Sequence, residues 1–246
     1  MKKLLLPLSI AASLCAFSAV AKSESPYYVT GYAGWYFGED VTVFGTNLRL
    51  NPEFPNDYKG DDGLSLGVGL GYVFSPNWRV QLSYSVRSLE AGGVNTGNSG
   101  FAPGTPYQYE LDSEHDTDTI MLEAIYDMKV SHGLRPYIKL GVGSTRADNT
   151  TRMLSTNDPL FSTFLGPTGL LSADGWYHFP DRSSSHFTWS LGLGLRYALT
   201  SNLDIGVEYS HLDMGEHRTG FDQVNDAYGY EDAAIDELDL VITYSF

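Results

Sequence analysis

The sequence predicts an all-β fold, an eight-stranded antiparallel up-and-down transmembrane β-barrel with four long extracellular loops. Three observations predict it. Past residue 21 the chain reads as eight segments in which apolar residues alternate with small or polar ones. The links between those segments alternate strictly between short and long, as periplasmic turns and outer loops do. No stretch beyond the first 21 residues reaches the roughly 18 apolar residues of a membrane-crossing helix.

Composition narrows the function classes. The 246 residues carry 30 acids against 15 bases, a formal charge of −15. Nucleic-acid binding needs a basic footprint, so it is excluded. With 17 Tyr, 12 Phe and 4 Trp the chain has too many aromatics for a solvated tail.

The N-terminus is a targeting segment. Met1-Lys2-Lys3 is followed by the apolar run Leu4 to Ala19 and a small-x-small cleavage site at Ala19-Val20-Ala21. Residues 1–21 are therefore expected to be a cleaved signal peptide, and residues 22–246 the barrel domain. The single cysteine, Cys15, lies in that segment, and Leu14 before it does not suit a lipoprotein site. Cleavage would leave a chain without a disulfide, whose stability a closed barrel in lipid can supply.

The first segment runs from Tyr27 to Phe37. The second, Leu64 to Phe74, puts Leu64, Leu66, Val68, Leu70, Tyr72 and Phe74 on one face. Its other face carries Ser65, Gly67, Gly69, Gly71 and Val73. After Ser75-Pro76-Asn77 the third alternates Trp78, Val80, Leu82, Tyr84 and Val86 with Arg79, Gln81, Ser83, Ser85 and Arg87. The rest are Thr119 to Lys129, Leu134 to Thr145, His186 to Leu199, Leu203 to Asp213 and Ala234 to Phe246. Short turns fall at 75–77, 130–133 and 200–202; the other four links run from about twenty to about forty residues, longer than structureless loops usually are.

Glycine decides which face is inside. Gly67, Gly69, Gly71, Gly141, Gly143, Gly192, Gly194 and Gly206 all lie opposite the large apolar side chains. Glycine facing inward makes room in a narrow eight-strand interior, so the apolar face meets lipid. Tyr27, Phe74, Trp78, Tyr197 and Tyr244 mark the turn ends, and Trp35, Phe37, Phe187 and Tyr209 the loop ends, as two interfacial girdles.

The last segment places Leu238, Leu240, Ile242, Tyr244 and Phe246 on one face and ends on the aromatic. Together with LGVGLGYVFSPNWRVQLSY, LGLGLRYALTSNLDIGVEYSH and the terminal VITYSF, the chain resembles the outer-membrane β-barrel family of the OmpA transmembrane domain, OmpX and the neisserial opacity proteins. The resemblance implies a Gram-negative outer-membrane location. It also implies that Tyr244 and Phe246 form a signal read by the barrel-assembly machinery. Expected partners are outer-membrane lipid and lipopolysaccharide, with a host or environmental ligand at the loops; a monomer is expected.

The inward face carries charges: Arg79, Arg87, Arg135, Lys139 and Arg196 against Glu123, Asp127, Asp204, Glu208, Glu237 and Asp239. Buried charges must be paired or hydrated. A nearly balanced set in so narrow a barrel points to a salt-bridge plug, with Arg135 and Glu123 as one expected pair; an ion-lined pore is the alternative. The long links are acidic: residues 88–117 hold five acids and no base. Asp61-Asp62 and the alternating Asp112, Glu114, Asp116 and Asp118 could offer carboxylates to calcium, but no EF-hand loop is complete, so no metal site is predicted. His186, Glu208 and Ser210 could meet as base, acid and nucleophile, the one arrangement that would make the barrel a lipid- or peptide-processing enzyme. No nucleophile motif surrounds Ser210, and no cofactor is predicted. The leading reading is a non-enzymatic protein with an adhesin-like surface or envelope-structural role.

Overall fold

A computed structural model describes residues 25–38, 40–46, 56–98, 106–128, 133–155, 171–215, 217–218, 220, 227–231 and 233–246. The expected signal segment and most of the turn at 130–133 lie outside them. Eight strands close into one antiparallel ring: β1 (Tyr27–Gly38), β4 (Gly63–Ser75), β5 (Trp78–Asn98), β6 (Pro106–Asp127), β7 (Leu134–Ser155), β9 (Arg182–Ala198), β10 (Leu203–Asp213) and β13 (Ala234–Ser245). Each pairs with the next, and β13 closes on β1 with Leu240 opposite Ala33 and Leu238 opposite Trp35.

Side chains alternate strictly across this wall. From Leu111 to Asp127 on β6, every odd-numbered residue is buried and no even-numbered one is. Large apolar groups point outward: Leu193 is 56% exposed and Phe187 67%. Such exposure on a protein in water would be an aggregation hazard, whereas in lipid it is the stable arrangement. Inward glycines lie beneath tyrosines of other strands. A Cβ on Gly71 would sit 1.9 Å from the Tyr28 ring, one on Gly67 2.1 Å from Tyr32, and one on Gly194 2.1 Å from Tyr137.

The long connections are largely strand. β5, β6 and β7 run on as one sheet, paired from Trp78 opposite Tyr126 up to Asn98 opposite Pro106, and from Asp127 opposite Tyr137 up to Tyr109 opposite Ser155. A tilted strand needs only about 9–11 residues to cross a bilayer, so roughly half of this ladder stands clear of it. Five shorter strands continue the rest of the ring: β2 (Asp40–Thr46), β3 (Asn56–Gly60), β8 (Tyr177–His178), β11 (His217–Arg218) and β12 (Ala227–Glu231). β2 pairs with β3 and β12, β3 with β5, β7 with β8 and β11 with β12, in the same neighbour order as the barrel below. Between β8 and β11 the Gly220 N–H donates to the Pro180 carbonyl at 2.9 Å. The barrel thus rises out of the membrane as a β-walled extension.

Candidate functional site

The lumen is stacked in layers. Nearest the short turns, Asp127 accepts from Arg79 Nε at 2.7 Å and Arg196 at 2.9 Å, and Arg196 also reaches Asp204 at 2.8 Å. Above it, Lys139 Nζ lies 3.0 Å from Glu123 and also pairs with Glu208. Gln81 donates to Glu123 and the Tyr137 hydroxyl to Glu208, each at 2.8 Å. Next, Arg87 crosses the lumen from β5 to β13 and grips Glu237 with two bonds of 2.6 and 2.7 Å, while Asp239 accepts from Ser65 at 3.4 Å. Each carboxylate is thus within reach of a donor, and all but the partly exposed Asp204 are buried, as removal from water requires.

The charge stack is capped by apolar groups. Tyr36, Met121, Leu212, Met214 and Ile235 form one buried cluster. Its members come from β1, β6, β10, β13 and the residue following β10, so the cluster reaches across the ring. Further out, hydroxyls bridge Thr119 to Thr145 at 2.9 Å, Thr145 to Thr188 at 2.7 Å and Ser113 to Thr151 at 2.6 Å. Leu111, Met153, Tyr177 and Phe179 are buried at the top, with the last two rings edge to face at 4.7 Å.

Arg135 corrects the interior set. It stands opposite Arg196 at the turn end of β7 and is exposed, and Lys139, four residues further along the strand, takes the place beside Glu123. The inward charges among the described residues are therefore four bases and six acids, of which Lys139, Arg196 and Asp204 are partly buried and the rest buried. His186, Glu208 and Ser210 are not brought together. Ser210 pairs with Gly192, and His186 lies six residues further along β9, about 20 Å at 3.3 Å per residue. Glu208 is engaged by Lys139 and Tyr137. The inward tyrosines and the apolar cluster were not singled out from sequence. Their signal is the four-residue spacing of Tyr28, Tyr32 and Tyr36 on the face of β1 opposite Trp35 and Phe37.

On the outer wall the same alternation marks where lipid ends. Outward residues of β6 change from Tyr126, Ala124, Leu122 and Ile120 to Asp118, Asp116, Glu114 and Asp112; those of β7 change from Val142 and Ser144 to Arg146 and Asp148. Of the carboxylates considered for calcium, Asp61 and Asp62 lie between β3 and β4, and Asp112, Glu114, Asp116 and Asp118 are spread along β6. Asp112 pairs with Arg152 at 2.5 Å, Asp116 accepts from Ser88 at 3.1 Å and Asp118 from the Tyr84 hydroxyl at 2.7 Å. Among the described residues no three acids or histidines converge on one point. Between β7 and β8 the Ser172 hydroxyl donates to Asp174 and holds its carboxyl below the usual carboxylate range.

Residues 8–246 match the family model described as the outer membrane protein beta-barrel domain. The chain belongs to this family. Relatives include the outer membrane protein PagN of Salmonella typhimurium, 26% identical with 94% of each chain covered. An uncharacterized Brucella suis protein is also 26% identical, over 80% of this chain and 75% of that one. Among solved structures, OprG of Pseudomonas aeruginosa shares the fold, with a TM-score of 0.52 at 14% identity over 91% of this chain and 97% of that one. As a member of the outer-membrane barrel family, the chain resides in the outer membrane of a Gram-negative cell.

Proposed function

We propose that this barrel works by surface contact rather than by catalysis or conduction, as an adhesin-like or envelope-structural protein. The observation that carries the reading is the extension itself. Strands that need cross only a bilayer continue well past it, and their outward side chains change from apolar to charged, on β6 to a row of acids, at a sharp boundary. A paired β-wall holds those charges at fixed spacing, so a partner meets a preformed surface and little is spent on ordering it. Outer-membrane lipid and lipopolysaccharide surround the barrel below that boundary, and the assembly machinery inserts it.

The lumen supports the same reading. Paired charges capped by an apolar cluster across the ring oppose ion flow, since a dry constriction repels ions. The chain refolded into planar bilayers should therefore give no steady unitary conductance. The surface role is tested by replacing residues 92–111, the outer half of the β5–β6 hairpin, with a tight turn. Cells bearing that variant at normal surface level should lose binding to matrix, host cells or phage that the parent binds, or lose envelope resistance to detergent. Unchanged behaviour in all of these would contradict the proposal.

A further inference from the structure

The outer half of the β5–β6 hairpin has one open edge. β5 pairs with β6 along its whole length, but with β3 only at Ala91 opposite Gly60 and Gly92 opposite Lys59. Beyond that point β3 follows β2 instead, as far as Asn56 opposite Val43. From Gly93 to Asn98 the other side of β5 has no ladder partner among the described residues. The Glu90 carbonyl accepts from the Asp61 N–H at 2.9 Å on that side. Backbone groups alternate sides along a strand, so the N–H and C=O of Val94, Thr96 and Asn98 point to the open edge as well. Proteins usually guard such an edge with lysine, proline or a bulge. Here residues 91–98, AGGVNTGN, hold no charge and no proline, and the ladder to β6 runs through them without a register shift. Val94 is 65% exposed.

We propose that this edge captures an extended, uncharged-to-basic segment of a partner protein as an added β-strand. The inference rests on the surface-contact reading and names the kind of partner. Donors and acceptors repeating every second residue are matched by another extended chain, whose main-chain bonds supply the affinity. Charge then selects among strands. Glu114 stands opposite Glu90 and Glu110 opposite Val94, on the outward face beside the edge. An added strand would lie about 5 Å from β5 and about 10 Å from β6, no more than about one Debye length from these acids. Lys59, opposite Gly92, is a base at the near end only. Basic side chains on the captured strand are therefore attracted and acidic ones repelled.

The test uses the full chain refolded in uncharged maltoside micelles and a fluorescent peptide of alternating threonine and lysine, with binding read by anisotropy. Binding should saturate and weaken as salt rises. The same peptide N-methylated throughout keeps its charges and loses every backbone donor, and should bind about tenfold more weakly or worse. Thr96→Pro removes a donor from the open edge and none from the ladder to β6, and should weaken the unmethylated peptide about tenfold. Equal affinity for the methylated peptide, or equal affinity in Thr96→Pro, would overturn the proposal by showing attraction through charge alone. So would a chain that ignores the peptide but dimerises, with the dimer lost in Thr96→Pro, which would make the occupant a second copy. Adhesion lost on replacing residues 92–111 but kept in Thr96→Pro would remove strand capture and leave the surface-contact reading in place.

Discussion

Lys139 is the interior charge whose removal should cost most, because two buried carboxylates share it. Lys139→Met should destabilise the barrel by about 3–5 kcal/mol, the penalty for leaving buried charge uncompensated. Glu123→Gln should cost less, since Lys139 keeps Glu208, and the double variant should fall short of the sum of the two. Arg135→Ala, at the exposed mouth, should change stability by about 0.5 kcal/mol or less. Urea unfolding from lipid vesicles measures all four; additive losses, or an Arg135 effect as large as that of Lys139, would remove the pairing. Period two tells from sequence that both cations point inward. It carries no information on depth, and their four-residue offset spans about 13 Å of strand, enough to separate a mouth from an inner layer. The tyrosines over glycine were hidden for a related reason: which glycine a ring covers depends on the register of another strand.

At the scale of the strand, β6 shows where the pattern is legible and where it fades. From Ile120 to Tyr126 apolar residues alternate with inward ones, and the strand can be read directly from the sequence. Before Thr119 the outward residues become Asp112, Glu114, Asp116 and Asp118, while Ser113, His115 and Thr117 point inward. Both faces are then polar, hydrophobic alternation vanishes, and the segment reads as a loop. The ladder to β5 and β7 holds it extended regardless. The lipid-facing part has its own test. Leu193→Arg should cost about 2–4 kcal/mol of refolding stability in vesicles, as a cation at mid-bilayer does. Ser190→Thr should cost little, because Ser190 faces the lumen and lines an inner cavity. Equal tolerance would mean reversed faces. On β13, Tyr244 and Phe246 pack edge to face at 5.5 Å at the chain end. Deleting Phe246 should lower surface levels in cells far more than stability in vitro; a normal surface level would contradict a role in assembly.

Over the whole molecule, one ring of strands serves two solvents. Its membrane half turns apolar groups out and charges in; its outer half turns charges out and encloses hydroxyls and a small apolar cap. The inversion follows from keeping strand order and register while the medium outside changes from lipid to water. Cysteine labelling on intact cells tests this most directly, since the only native cysteine is Cys15 in the expected signal segment. Single cysteines at Glu114, Asp116, Ile120 and Leu122, four outward positions on one strand, would be exposed to a membrane-impermeant maleimide. Glu114→Cys and Asp116→Cys should label, while Ile120→Cys and Leu122→Cys should label only after detergent. Protection at 114 and 116, or free labelling at 122, would contradict a barrel that continues past the membrane.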